Sequence, residues 1–303
     1  MAVSPSSKSR VRKVKSSPPR TVVGFINAFS KFSSTTDGLK CFRGQRKSSW
    51  DEVPGLYRPD MIELEGREKQ AVRDLISTHP SEFSADETMF DRLVRMQHFG
   101  LPTRLMDVSL NPLIALYFAS DPGPNDEESD GVVTAFAVPE EREKYYDSDS
   151  ISCIANLANL TKAEKNELFR LRASRKLGTT VKERRTQFNE EEVVKRLHQF
   201  IRAEKPYFLP IIDPIDLFKP YYVHPKMSNR RIVAQSGAFI IYGITPPKTI
   251  RFAHEIQQTR FIVPQKSKEA IRSSLADLGI NESTLYPEID KAAKTIKERY
   301  RHT

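Results

Sequence analysis

Cysteine is almost missing from this chain of 303 residues: Cys41 and Cys153 are its only two, too few for a disulfide framework or a thiolate metal site. That usage fits a reducing compartment, and a cytoplasmic setting is the expectation. No run of roughly 18 apolar residues occurs, so no membrane-spanning helix is expected. Residues 1–20 are basic but hold no apolar segment, so they do not read as a signal peptide.

Several chemical signatures are also missing. There is no Gly-Lys-Ser/Thr phosphate loop, no Gly-x-Gly-x-x-Gly dinucleotide turn and no His-Glu-x-x-His zinc helix. A serine nucleophile elbow is absent too. The six histidines are scattered, and no metal is expected. Only His98 adjoins an unusual stretch, and a lone His at a helix end is more often a cap than a catalyst.

What is present begins with charge. Seven of the 48 Lys and Arg lie in residues 1–36, which hold no acid, so the remaining 41 face 39 acids. The basicity therefore belongs to an arm. Met1 to Arg20, rich in Ser, Pro, Lys and Arg, is expected to be disordered. It could add salt-sensitive grip on nucleic acid or serve only as a solubilising tail.

With 38% hydrophobic residues the chain can bury a real core, and positions 21–303 are read as one α+β domain. Val22, Phe25, Phe29 and Phe32 fall on one face of a first helix. Leu39 to Gln45 alternates as a strand, ending where Gly44 lets something approach the backbone. Pro59-Asp60 opens a helix with Leu64, Glu68, Ala71, Val72, Leu75 and Ile76 inward. Ser84 to Glu87 reads as a capping box for the next helix.

The acidic segment Asp121 to Asp130 lacks calcium-loop spacing and reads as a surface loop. Gly131 to Val138, apolar on both faces, predicts a central strand. Residues 139–192 are charged and read as a helical insertion, with a capping box at Thr161 to Glu164 and a stop at Gly178. Asn189 is expected to cap a helix carrying Val193, Val194, Leu197, Phe200 and Ile201. Tyr207 to Ile212 and Arg260 to Val263 read as strands. A helix with Ala270, Ile271, Leu275 and Leu278 inward stops at Gly279, and a last helix follows Pro287.

Two stretches resist ordinary patterning. In Gln97 to Ala119 a helix should close at Gly100 before Pro102, followed by a loop carrying Arg104 and Asp107. A second helix starts at Pro112 behind Asn111 or Ser109, and its body is apolar all round, so it must be buried. Arg104 and Asp107 either pair with each other or nearby backbone, or Arg104 faces a cleft and holds an anion. In Asn229 to Gly243 a short helix over 228–235, closed by Gly237, puts Arg231 and Gln235 on one face, and Ala238 to Tyr242 is a strand leaving it. There Gln235 either joins a site or merely caps backbone.

Phe42-Arg43-Gly44, Gln97-His-Phe-Gly-Leu-Pro-Thr-Arg-Leu-Met-Asp107, Asn111-Pro-Leu-Ile-Ala-Leu-Tyr-Phe-Ala119 and Gln235-Ser-Gly-Ala-Phe239 together resemble the FRG domain of bacteria and their phages. That family implies a prokaryotic or phage setting, with conflict or defence systems as its context. At the level of the fold, an Arg-Gly at the end of an early strand is similar to the opening of ADP-ribosyltransferases.

The second resemblance implies NAD as cofactor. Arg43 would bind phosphate, Gly44 would let the nicotinamide ribose approach, and Tyr117 or Phe42 would stack on the ring. Gln235, or else Glu255, would stabilise the developing oxocarbenium ion. The sequence departs from that pattern in having no Glu-x-Glu or Gln-x-Glu.

The other reading is a non-catalytic nucleotide or nucleic-acid module in which Arg43, Arg104 and Arg231 clamp phosphates and Gln97 and Gln235 read polar edges. The candidate set is thus Arg43, Gln235 and Glu255 for catalysis. For binding it is Arg43, Gly44, Gln97, His98, Arg104, Asp107, Asn111, Tyr117 and Arg231. Both readings need three distant segments to converge on one cavity.

Overall fold

In a computed structural model of the chain, residues 12–13 and 173 are described in their backbone, and residues 18–123, 128–172, 180–227, 229–244 and 256–287 in full. Most of the basic arm, Gly178, Glu255 and the helix expected after Pro287 lie outside these. Among the described residues no helix is long and apolar enough to cross a membrane.

The architecture is α+β, with a mixed, mainly antiparallel sheet flanked by helices. The strands are β1 (Arg12–Lys13), β2 (Leu39–Gln45), β3 (Leu105–Ser109), β4 (Gly131–Val138), β5 (Glu143–Tyr145), β6 (Tyr221–His224), β7 (Gly237–Ile241) and β8 (Gln257–Val263). Their order across the sheet is β1-β8-β4-β2-β3-β7-β6-β5. Only the outermost pairs, β1 with β8 and β5 with β6, are parallel.

The junction at the centre sets up the site. β2 pairs with β4 along its full length, from Leu39 opposite Val138 to Gln45 opposite Val132. β3 pairs with β7 from Leu105 opposite Ile241 to Ser109 opposite Gly237. Between β2 and β3 a single register pair exists, Phe42 with Ser109. The sheet is therefore two four-stranded halves touching at one point.

Each half has its own helical cover. Helix α1 (Val22–Ser34) buries Val22, Phe25, Phe29 and Phe32, the stripe its spacing predicts. With α5 (Pro112–Ala119) and α11 (Lys268–Asp277) it packs on Phe42, Val133, Ala135 and Phe261 of the first half. On the second half, Leu105, Phe239 and Ile241 meet a larger cluster. It is supplied by α3 (Glu68–Thr78), α4 (Met89–His98), α6 (Asp149–Ala155), α7 (Lys162–Ala173), α8 (Val181–Glu190) and α9 (Glu192–Glu204). Cys41, Phe136, Met106, Val108, Ala238 and Ile240 form a third cluster joining the halves through the other sheet face. Each such side chain contributes about 1.5–3 kcal/mol on full burial if large and apolar.

Several sequence expectations are corrected. The helix expected from Pro59 breaks at Arg67 into α2 (Ile62–Gly66) and α3. The box that caps α4 is Thr88 with Asp91, whereas the Ser84 hydroxyl donates to the Ser81 carbonyl. Asn189 lies inside α8, where its buried side chain holds Ile212 and His198. Tyr207 to Ile212 is irregular, with Tyr207, Leu209 and Ile211 exposed, and the strand in that region is β6. The described residues of 139–192 are mostly helical, but β5 joins the sheet from within them, and Ile151, Ile154, Leu157, Leu168 and Phe188 are integral to the main core. Leu278 is exposed, and Ile271 and Leu275 carry the α11 contact.

Candidate functional site

The segment around Arg104 and Asp107 is a strand, not a loop, and its two charges part company. In β3 every residue but Asp107 is buried. Arg104, just before the strand, is 1% exposed and makes two bonds to Glu68 of α3, at 2.9 and 2.5 Å. Its remaining nitrogen reaches the Tyr57 hydroxyl at 3.2 Å and the Tyr242 carbonyl at 3.0 Å. Lys165 of α7 adds a 2.5 Å contact to the same carboxylate. Arg104 is thus neither paired with Asp107 nor open to a ligand, because its partner sits on a helix 36 residues earlier.

Where the β2–β3 ladder stops, a side chain takes over. Nη1 of Arg43 donates to the main-chain carbonyl of Asp107 at 2.7 Å, in place of strand-to-strand bonding. Behind it stands Glu52, 3.6 Å from Nε and 6% exposed, which accepts from Thr134 at 2.5 Å. Burial raises the Glu52 pKa, and Arg43 offsets part of that shift.

The gap between the halves is a cavity of about 390 Å³. Arg43, Arg46, Arg58 and Arg231 line it with Asp107, Asp121, Gln45, Gln235 and Ser109. Its aromatic lining is Trp50, Phe118, Tyr286 and Phe42. The guanidiniums of Arg46 and Arg58 lie 5.1 and 5.9 Å from the Trp50 ring centre, and that of Arg231 lies 4.9 Å from Tyr286. Burial, reinforced by Arg43, lowers the pKa of Arg58. Four guanidiniums beside two lining carboxylates, with Glu52 behind Arg43, leave this lining positive.

Arg231 belongs to the short α10 (Arg230–Ala234), and Gln235 ends it. The main chain then turns sharply: Ser236 has φ of 45°, a left-handed conformation rare outside glycine. That turn is bolted to the end of β3. Leu110 N donates to the Ser236 carbonyl at 2.9 Å, and the Ser109 hydroxyl donates to the Gln235 carbonyl at 2.8 Å. The Gln235 carboxamide donates to the Leu285 carbonyl of α12 (Glu282–Leu285) at 3.1 Å.

A second, smaller cavity of about 70 Å³ adjoins the first and shares Asp107, Val108, Arg231 and Gln235 with it. Gln97, His98 and Asn229 complete its polar lining. Gln97 donates to Oδ2 of Asp107 at 2.8 Å, and its own carbonyl oxygen accepts from the Thr103 hydroxyl at 2.5 Å.

Of the residues chosen from sequence, Arg43, Gly44, Asp107, Arg231 and Gln235 line the main cavity, and Gln97 and His98 line the smaller one. The three distant segments do converge. Arg104 does not join them. Asn111 caps α5, accepting from Leu113 N at 2.9 Å, and Tyr117 is buried with its hydroxyl accepting from Arg272 at 2.6 Å. The close approach at Gly44 is by protein: a Cβ there would lie 1.8 Å from the Ala115 carbonyl oxygen of α5. Glu255 is outside the described residues.

Arg46, Trp50, Arg58, Asp121, Phe118 and Tyr286 were not anticipated. The one signal that pointed toward them was the lone Trp among nearby Arg and Lys at 46–58. Among the described residues no group of three or more His, Cys, Asp or Glu could hold a metal ion.

A family model of the FRG domain matches residues 39–128. No curated protein and no solved structure matches the chain. The matched span includes β2, β3 and α5 and supplies Arg43, Trp50, Arg58, Asp107 and Phe118, whereas Arg231, Gln235 and Tyr286 come from outside it.

Proposed function

We propose, from the FRG-domain match over residues 39–128, that the cavity between β2 and β3 binds a nucleotide diphosphate, with NAD as the candidate occupant. One observation carries this: four guanidiniums gather where the sheet divides, against only two lining carboxylates. Like charges held together in a partly desolvated cleft destabilise the empty protein, so a compensating anion is the natural occupant. With Glu52 answering Arg43 from behind, a positive balance still remains to meet a diphosphate. Planar guanidinium forks bind phosphate oxygens in pairs. Trp50, Phe118 and Tyr286 offer ring faces on which a base can stack, worth about 1–3 kcal/mol per base.

A second reading, transfer of ADP-ribose from bound NAD, is favoured by a different observation. Asp107 and Gln235 line the same cavity as Arg43. A carboxylate and a carboxamide are therefore at hand for a developing oxocarbenium ion.

Incubation of the full chain with NAD labelled in its nicotinamide ring tests both readings. Saturable binding that weakens at least tenfold in Arg43→Ala is the expected result, and absence of binding overturns the nucleotide site. Release of free nicotinamide, lost in Gln235→Ala, supports transfer. Binding with NAD recovered intact rules transfer out and leaves the binding site standing.

A further inference from the structure

Asp107 is the odd member of a cavity built for anions. It is exposed in a strand otherwise buried, yet among the described residues none of the four lining arginines forms an ion pair with its carboxylate. Arg43 bonds its main-chain carbonyl instead. The carboxylate is nonetheless held in place. Gln97 donates to Oδ2, and because the Thr103 hydroxyl occupies the Gln97 carbonyl oxygen, the amide of Gln97 is fixed with its NH2 toward Asp107. Thr103 is in turn anchored, since its hydroxyl accepts from Leu105 N at 3.2 Å. A chain of three hydrogen-bonded groups thus orients one carboxylate at the wall shared by the two cavities.

An ionised carboxylate only accepts hydrogen bonds, and it repels phosphate. Inside a cluster of guanidiniums it sorts a ligand by chemistry, drawing hydroxyl donors to itself and leaving phosphates to the arginines. A ligand satisfying both carries vicinal or single hydroxyls close to a phosphate. Ribose in a nucleoside diphosphate has that arrangement.

We propose that Asp107, oriented by Gln97 and Thr103, is a sugar-hydroxyl subsite that makes the cavity selective for ribose-bearing diphosphates over deoxyribose or sugar-phosphorylated ones. This rests on the nucleotide reading above and adds the part of the ligand that the arginines do not recognise. Asp107 and Gln97 then have separable duties. Asp107 contacts the ligand, and Gln97 is a positioning residue acting through it.

Calorimetric titration of the full chain with ADP, 2′-deoxy-ADP, 3′-deoxy-ADP and inorganic pyrophosphate tests this, using wild type, Asp107→Asn and Gln97→Ala. Loss of a hydrogen bond to a charged group should weaken at least one deoxy compound about tenfold or more against ADP in the wild type. Asp107→Asn keeps the shape and the main-chain bond to Arg43 but removes the negative charge. It should weaken ADP by a similar factor, abolish the ribose preference and leave pyrophosphate as tight or tighter. Gln97→Ala should blunt the preference with a smaller loss.

Equal affinity for ADP and both deoxy forms in the wild type would overturn the subsite while sparing the phosphate site. So would parallel weakening of ADP and pyrophosphate in Asp107→Asn at an unchanged melting temperature. Failure of pyrophosphate and ADP alike to bind the wild type overturns the nucleotide reading itself and the subsite with it. A melting curve for each variant separates lost binding from lost folding.

Discussion

Two arginine environments meet at β3 and behave oppositely. At Arg104 one buried guanidinium is answered by the two oxygens of Glu68, a tyrosine hydroxyl and a main-chain carbonyl. Around Arg46, Arg58 and Arg231, beside Arg43 with its Glu52 partner, several guanidiniums share a cavity with only two lining carboxylates. The first arrangement fixes α3, α7 and the start of β3 to one another. The second leaves binding capacity unused by the protein. What separates a structural arginine from a ligand-binding one here is the local balance of charge and hydrogen bonds, which neighbours in sequence do not reveal.

The strongest way to break the contrast is to remove the answering group. Glu68→Ala leaves Arg104 and Lys165 buried without their carboxylate and is expected to lower stability by about 3–5 kcal/mol, read as a shift in the urea midpoint. A midpoint within experimental error of wild type would mean that Arg104 is not held as described.

Acid sharpens the comparison next. Burial pushes the Glu68 carboxyl upward, but Arg104 and Lys165 more than offset that and hold it down to about 2, against an ordinary 4.5. Its folded pKa is depressed, so its contribution to stability is complete above about 4.5 and lost as pH falls toward 2. Glu52, behind Arg43, is shifted the other way by burial. Its contribution is complete in acid and lost as pH rises through its folded pKa. The stability of Glu52→Gln relative to wild type should therefore climb as pH is raised above about 4.5, whereas that of Glu68→Gln should fall over the window below it. Chemical denaturation at a series of pH values reads both, and slopes of the same sign would contradict the assignment.

The smallest stability effect belongs to the cavity. Arg58→Ala and Arg231→Ala remove members of a like-charged group and should raise stability slightly, by no more than about 0.5 kcal/mol. Thermal melts check this. A loss comparable to that of Glu68→Ala would erase the distinction between the two environments.

Much of the scaffold was legible in the sequence, for physical reasons that differ by element. The stripe of α1, the all-apolar body of α5 behind Asn111-Pro112 and the doubly apolar β4 declare themselves through periodicity and capping. β3 did not, because Arg104 just before it and Asp107 at its centre mimic a polar loop, and only their distant partners explain their place at a central strand. Tyr207 to Ile212 erred the other way, being apolar in composition yet largely exposed.

At the site, Arg43, Arg231 and Gln235 could be chosen from their unusual local settings. Arg46 and Arg58 carried only the signal of Trp50 between them and Tyr286 none, because it is the split between β2 and β3 that gathers them. Gly44 carried a true signal of close approach, but it reported the packing of α5.

The central claim is that the positive cavity at the divided sheet is a diphosphate site. Its most direct test is the heat of ADP-ribose binding to wild type and to the double variant Arg58→Ala, Arg231→Ala, measured where both melt at the same temperature. The account predicts wild-type binding and a loss of affinity of about a hundredfold or more in the double variant, from two lost charge-assisted contacts. Undiminished binding by the double variant, or no binding by the wild type, would contradict it.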